Sequence, residues 1–214
     1  MLIDVDLRGR TVLIVGGGTV GERKAAKFLA AGAKVVVASK TFTERFKHWS
    51  LGGKLRLVAA DLEIAPEQIG SLTSNADFVI AATNKSSLNR RVAEEAKKQR
   101  THVNVADNPG LGDFTMPNIA RVGGFHIAIS TGGKSPAMSN FLRRRIEGII
   151  GKEDILMVRL QAYARKLAKA HILNQQSRNR ALCMIIEDRR IRRLLKKGKF
   201  QEAKGLTKRI IKEF

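Results

Sequence analysis

The stretch from Thr11 to Lys24 constrains this chain more than any other. An apolar run, Thr11-Val-Leu-Ile-Val15, meets Gly16, Gly18 and Gly21 in a G-x-G-x-x-G spacing, and a helical pattern follows at once. That order is a strand, a tight turn and a helix. Gly16 permits the turn, Gly18 lets the backbone approach a pyrophosphate, and Gly21 lets the helix pack close to the strand. Alone the spacing is a weak signal. Here it sits in a complete βαβ unit: strand 11–15, helix about 20–31, Gly32 as a helix stop, strand 34–38. The pattern predicts a dinucleotide site with helix N–H groups facing the phosphates.

The alternation continues to residue 107, as in a parallel sheet with helices on its faces. Phe42–Ser50 reads as a short helix or loop, Lys54–Ala59 as a strand, and Ala65–Leu72 as a short helix. Asp77–Ala82 reads as a strand, Leu88–Arg100 as an amphipathic helix, and His102–Ala106 as the next strand. Asp107-Asn-Pro-Gly110 then breaks regular structure. Beyond Gly112 the pattern changes. Phe125–Ser130 is a strand with few neighbours in sequence. Ser135 and Pro136 suit the N-cap and first position of a helix that runs to about Ile150. Residues 152–214 show no strand signal and read as two or three basic helices, broken near Asn174–Ser177 and at Gly198. The fold class expected is α/β, a Rossmann-like parallel sheet followed by a small α/β segment and a C-terminal helical domain.

Cys183 is the single cysteine, so one chain can form no internal disulfide, which suits a reducing cytoplasm. The N-terminus lacks the basic start and apolar stretch of a signal peptide. No apolar run approaches the roughly 18 residues of a membrane span. These features predict a soluble cytoplasmic protein with no membrane partner. The net charge is +21, and residues 141–214 carry 21 Lys and Arg against 7 Asp and Glu. A field of this sign collects polyanions. Nucleic acid, a small polycarboxylate, adaptation to a salty or hot interior, and a merely solvated helical face all fit it.

The strand at 34–38 ends in Ser39-Lys40-Thr41, where the fingerprint usually carries an acid for the ribose 2′-hydroxyl. Lys40 could take a 2′-phosphate, and Ser39 or Thr41 could hydrogen-bond a ribose, so NAD and NADP both stay open. Ala82 and Thr83 lie at the carboxyl end of a strand, the edge where α/β sheets bind ligands, and Thr83 or Ser86 could equally cap a helix. Asp107 follows a strand at the same edge; it is placed to act as a base, orient a ligand, or cap its own turn. Gly132-Gly-Lys-Ser135 invites a P-loop reading, but the first glycine would fall at position 128, which is Ala. What survives is a glycine turn at a helix start beside Lys134, suited to a carboxylate. His48, His102, His126 and His171 are scattered, and no metal-ligand spacing is apparent. The Arg189–Lys199 segment reads as an amphipathic helix with a basic face. Its few aromatics argue against stacked single-stranded nucleic acid.

Taken together, Val-Gly-Gly-Gly-Thr-Val-Gly-Glu-Arg-Lys-Ala at 15–25, Ala-Ala-Thr at 81–83, Asn89, Asn-Val-Ala-Asp at 104–107, Phe114, Met116-Pro117 and Ser-Thr-Gly-Gly-Lys-Ser-Pro at 130–136 resemble the precorrin-2 dehydrogenases, including the N-terminal part of bacterial siroheme synthase. The likeness covers roughly the first 150 residues. It implies NAD-dependent dehydrogenation of precorrin-2 to sirohydrochlorin in siroheme biosynthesis. Three parts are implied: a nucleotide domain at 1–113, a dimerisation segment at 114–150 and a basic helical domain at 151–214. So is a homodimer. The family's key aspartate falls on Asp107. The family's cofactor loop falls on Gly18, Thr19 and Val20, and its second cofactor contact on Lys40 and Thr41. Gly16 and Gly21 of the turn and Ala82 and Thr83 at the strand edge complete the expected cofactor residues, and substrate contacts are expected at Asn104, Thr131, Gly132, Gly133, Lys134 and Ser135. The serine that precedes the family's glycine pair is Thr131 here. Precorrin-2 bears many carboxylates, which matches the basic second half. Some members also insert ferrous iron, so a bifunctional dehydrogenase and ferrochelatase, with iron as substrate, is one alternative. A nucleotide-sensing nucleic-acid-binding protein is the other, although no helix-turn-helix is apparent in 152–214.

Overall fold

The computed structural model describes residues 2–214. Its contacts divide the chain after Met116 into two compact units. The first is a five-stranded sheet in the order β3-β2-β1-β4-β5, parallel throughout. The strands are β1 (Thr11–Val15), β2 (Lys34–Ser39), β3 (Leu55–Ala59), β4 (Phe78–Ala81) and β5 (His102–Val105). Successive side chains of a strand point to opposite faces. Both faces of this sheet are covered, so β1 is apolar from Val12 to Val15 while these residues divide between two cores. Val12 and Ile14 pack with Ala25 and Phe28 of α1 (Thr19–Ala30) and Phe46 of α2 (Glu44–Leu51). Leu13 and Val15 pack with Ile69 of α3 (Gln68–Ser74) and with Leu88, Val92 and Ala96 of α4 (Ser86–Lys98). Each such aliphatic side chain, once fully buried, contributes about 1.5–3 kcal/mol.

The chain moves outward from β1 to β2 and β3, then returns to lay β4 on the other side of β1. That reversal opens a crevice beyond the carboxyl ends of β1 and β4, the usual ligand position in such sheets. Asp77 anchors the opposite end. It accepts the Thr11 N–H at 2.8 Å and an Arg10 guanidinium N–H at 2.8 Å, which hold its carboxyl below the usual range.

The second unit begins with a hairpin that the sequence only half reveals. Phe125–Ile129 (β7) is the strand predicted, but it pairs antiparallel with Asn118–Val122 (β6), a strand the pattern does not announce. Gly123 and Gly124, at φ 53° and 95°, make the two-residue turn. Positive φ at both positions is what a right-twisted hairpin needs. Ser135 caps α5 (Pro136–Ile149) as expected, accepting the Met138 N–H at 3.2 Å. Asn118 ties that helix to β6 through Ser139 Oγ at 2.8 Å.

Residues 152–214 form four helices rather than two or three: α6 (Lys152–His171), α7 (Gln175–Glu187), α8 (Arg189–Lys196) and α9 (Phe200–Lys212). The additional break is at Asp188. Its backbone leaves the helical region, and its carboxylate accepts the N–H groups of Arg190 at 2.7 Å and Ile191 at 3.2 Å. One residue thus ends α7 and caps α8. Leu160, Ala164, Ile185, Ile191, Leu195 and Ile211 form the core of this bundle.

Candidate active site

The three fingerprint glycines have three different physical reasons to be glycine. Gly16 sits at φ 123°, and a Cβ there would run into the Ala82 carbonyl. At Gly21 a Cβ would strike the Gly16 carbonyl, so the helix could not approach the strand. Gly18 is the N-cap of α1, and a Cβ on it would meet nothing. No side chain caps α1. The first N–H groups of the helix, with exposed Thr19 and Val20, therefore face open space. Gly17 is a fourth requirement that the fingerprint does not include. A Cβ on it would collide with the Thr41 carbonyl, and its own carbonyl accepts the Thr43 N–H at 3.0 Å. The unbroken triple glycine was the available signal.

A cavity of about 340 Å³ adjoins this turn, bounded by Gly16, Ser39, Lys40, Thr41, Asp61 and Thr83 among others. Open space before Gly18, uncapped helix N–H groups and an adjoining cleft fit a dinucleotide. Gly16, Gly18, Thr19, Val20 and Gly21 would hold its pyrophosphate, and Lys40 and Thr41 its adenosine end. Lys40 is not free, however. Its Nζ lies 3.1 Å from Asp61 Oδ2, and this contact holds the Asp61 carboxyl below its ordinary range.

Asp107 lies just past β5 and is exposed. Ser86 Oγ donates to its Oδ2 at 2.6 Å, and Asn89 Nδ2 donates to its Oδ1 at 2.8 Å. Asn89 is fully buried and in turn accepts the N–H and hydroxyl of Thr83 at 3.0 and 2.8 Å. These donors, the Ser86 hydroxyl first, keep Asp107 below the usual carboxylate range. The result is an ionised, accessible carboxylate at the ligand edge of the sheet, held by the first residues of α4. Neither Thr83 nor Ser86 caps α4, which has no side-chain cap. Thr83 serves Asn89 and Ser86 serves Asp107. Neither Ser86 nor Asn89 stands out as a site residue from composition or spacing.

Asn104 is buried on β5, where Lys24 Nζ donates to its Oδ1 at 2.6 Å and its Nδ2 donates to the Phe114 carbonyl at 2.9 Å. Desolvation, with Lys27 and Arg23 nearby, lowers the Lys24 pKa. In the second unit the Thr131–Ser135 turn closes on itself. Thr131 Oγ1 accepts the Ser135 N–H at 3.0 Å, and Gly132 and Gly133 take φ of 61° and 81°. Lys134 is exposed beside them. His102 Nδ1 lies 3.1 Å from Asp113 Oδ2, and its ring stacks on Phe78. Among the described residues, no three His, Cys, Asp or Glu side chains gather as metal ligands, and no helix is long and apolar enough to cross a membrane.

A family described as putative NAD(P)-binding matches residues 3–118, and one described as sirohaem biosynthesis protein, central, matches residues 125–149. A precorrin-2 dehydrogenase of Methanosarcina barkeri is 37% identical over 86% of this chain and 81% of its own. The chain belongs to the precorrin-2 dehydrogenase and siroheme synthase family. Siroheme synthase 2 of Yersinia enterocolitica is 38% identical over 81% of this chain, yet that match covers only 36% of the longer protein. Among solved structures, the family's SirC, a precorrin-2 dehydrogenase, superposes with a TM-score of 0.75 and 26% identity, covering 98% of this chain and 99% of that one. The parallel sheet, the hairpin and the basic helices are thus a family architecture, and an NAD(P)-binding first unit belongs to it.

Proposed function

We propose that this chain oxidises precorrin-2 to sirohydrochlorin in the cytoplasm, with NAD as acceptor. The observation that carries the reading is Asp107, an ionised carboxylate fixed by Ser86 and Asn89 at the same sheet edge as the glycine turn. The oxidation removes a hydride and a proton from the macrocycle. Bound NAD+ supplies the hydride acceptor. Asp107 takes the proton, or holds the ring as positive charge develops on it. Gly16, Gly18, Thr19, Val20 and Gly21 seat the pyrophosphate, and Ala82 and Thr83 let the cofactor lie close to β4. NAD is favoured over NADP because Lys40 already has a carboxylate partner. The positive field draws substrate carboxylates, and the Thr131–Ser135 turn, with Lys134 at the N-terminus of α5, has the chemistry to bind a carboxylate. Asn104, held on β5 by Lys24 and the Phe114 carbonyl, is the further substrate contact proposed in the first unit. Ferrous iron enters only as a second substrate, and formation of sirohaem from sirohydrochlorin and ferrous iron without nucleotide would add chelation to the activity.

The experiment is direct: supply precorrin-2 with NAD+ and follow the reduced nicotinamide and the sirohydrochlorin spectrum together. Both should rise in equal amounts. Nucleotide binding without either signal would refute the reading.

The segment 114–150 is proposed to make a homodimer. Met138, Phe141 and Ile149 are exposed apolar side chains on α5, and β6 and β7 form a sheet of only two strands. Large apolar groups held at a surface favour a partner. Phe141→Glu is expected to convert a dimer to a monomer in size-exclusion light scattering, with its helix content unchanged. A wild-type chain already monomeric at micromolar concentration would remove the proposal.

A further inference from the structure

A dinucleotide fold ordinarily ends its second strand with an acid that takes the ribose 2′-hydroxyl. Here β2 ends in Ser39-Lys40-Thr41 and has none. The structure supplies a carboxylate from the neighbouring strand. β3 runs parallel beside β2, with Ser39 opposite Ala59, so the chain leaving β3 delivers Asp61 to the same lip. Asp61 Oδ2 lies 3.1 Å from Lys40 Nζ, and Oδ1 accepts the Glu63 N–H at 3.2 Å. All three residues line the cavity beside the glycine turn. We infer that Asp61 is the residue that makes this site select an unphosphorylated adenosine ribose, NAD rather than NADP. The inference rests on the nucleotide half of the function proposed above.

Two effects act together. The ion pair occupies Lys40, the one cation at the end of β2, so a 2′-phosphate could recruit it only by leaving Asp61 facing the phosphate. The charged residues around the cavity also cancel: Lys40 and Lys85 are balanced by Asp61 and Glu63. A phosphate monoester adds about 1.5 to 2 negative charges at neutral pH. The net charge of +21 would by itself favour the more anionic cofactor. Exposed charges beyond roughly 8 Å are largely screened at physiological salt, so the local carboxylates decide. Asp61 can still serve the ribose. An ionised carboxylate offers about four acceptor positions, and Lys40 and the Glu63 N–H use two of them.

The test is calorimetric titration of the full chain with NAD+ and NADP+, with no tetrapyrrole present. Wild type should bind NAD+ about tenfold or more tightly than NADP+. Asp61→Asn keeps the shape and removes the charge. It should tighten NADP+ by about tenfold and weaken NAD+, reversing or erasing the preference. Adding Lys40→Ala should abolish the gain for NADP+, because that gain comes from the released lysine. A wild-type chain that binds both cofactors equally, or an Asp61→Asn chain with an unchanged ratio, overturns the inference. Tetrapyrrole oxidation is read in a separate assay. Selective NAD+ binding without precorrin-2 turnover would sink the proposed oxidation alone, and turnover with no nucleotide preference would sink this inference, and with it the choice of NAD over NADP, while leaving the oxidation standing.

Discussion

Asp107→Ala should lower precorrin-2 turnover by about a hundred- to ten-thousandfold, the span a positioned proton acceptor contributes. The NAD+ dissociation constant should stay nearly unchanged, because the proposed nucleotide contacts lie on the β1–α1 turn, at Lys40 and Thr41, and at Ala82 and Thr83, and not at Asp107. The size of the effect follows from how the carboxylate is held. Ser86 and the buried Asn89 each donate to one of its oxygens, at 2.6 and 2.8 Å. The charge is therefore fixed in place before substrate arrives and needs no reorganisation during reaction. The same bonds set the pH dependence. They lower the Asp107 pKa, so the carboxylate is ionised above that lowered value and lost only as pH falls through it. Ser86→Ala removes the largest of these contributions, so the Asp107 pKa rises. The acid limb of kcat/KM should then move to higher pH, with turnover at neutral pH little changed. Full activity in Asp107→Ala would show that the proton leaves by another route.

The parts of this site that the sequence announces are those whose chemistry is local in the chain. The β1 turn is legible because one short stretch holds the apolar strand, the glycines and the amphipathic helix. Asp107 is legible because it follows an apolar strand and precedes Asn108-Pro109-Gly110. Asp61 is not, because its meaning depends on β3 lying beside β2 in a register that only the folded sheet fixes. Asn89 is read only through family likeness. Its role appears when the β4–α4–β5 crossover brings it to a carboxylate 18 positions away. In the second unit, β6 escapes notice because it is short and mostly half-buried, with Arg121 exposed within it. The break at Asp188 escapes because the basic residues on its C-terminal side look like one continuous solvated helix. A single aspartate both interrupts the helix and restarts it.

Gly16→Ala and Gly18→Ala should fail in opposite ways, and the contrast separates folding from nucleotide binding. At Gly16 the backbone sits at φ 123°, a region that side chains rarely adopt, and a methyl group would overlap the Ala82 carbonyl. The strain costs about 1–3 kcal/mol, and overpacking against fixed backbone costs about as much again. The Ala82 carbonyl cannot step aside cheaply, because the Ala82 N–H is bonded to Val15 O at 2.8 Å. A combined loss of about 2–6 kcal/mol removes much of a typical domain stability of about 5–15 kcal/mol. Gly16→Ala should therefore show a sharply lower melting temperature and poor recovery of folded protein. Gly18 has an extended, N-cap backbone at φ −87° that alanine adopts without strain, and its added methyl would touch no protein atom. Stability should fall by no more than about 1 kcal/mol, the scale of an N-cap change. Yet that methyl stands in the space before the first N–H groups of α1, where a pyrophosphate oxygen must come within hydrogen-bond distance. Losing one or two charge-assisted hydrogen bonds, at about 1.5–3 kcal/mol each, should weaken NAD+ by roughly ten- to a hundredfold or more. Thermal melts and calorimetric titration on the same two variants give the answer. If Gly18→Ala bound NAD+ like the wild type, the phosphates would have to lie elsewhere. A Gly16→Ala chain as stable as the wild type would mean that the β1 turn has room its geometry denies.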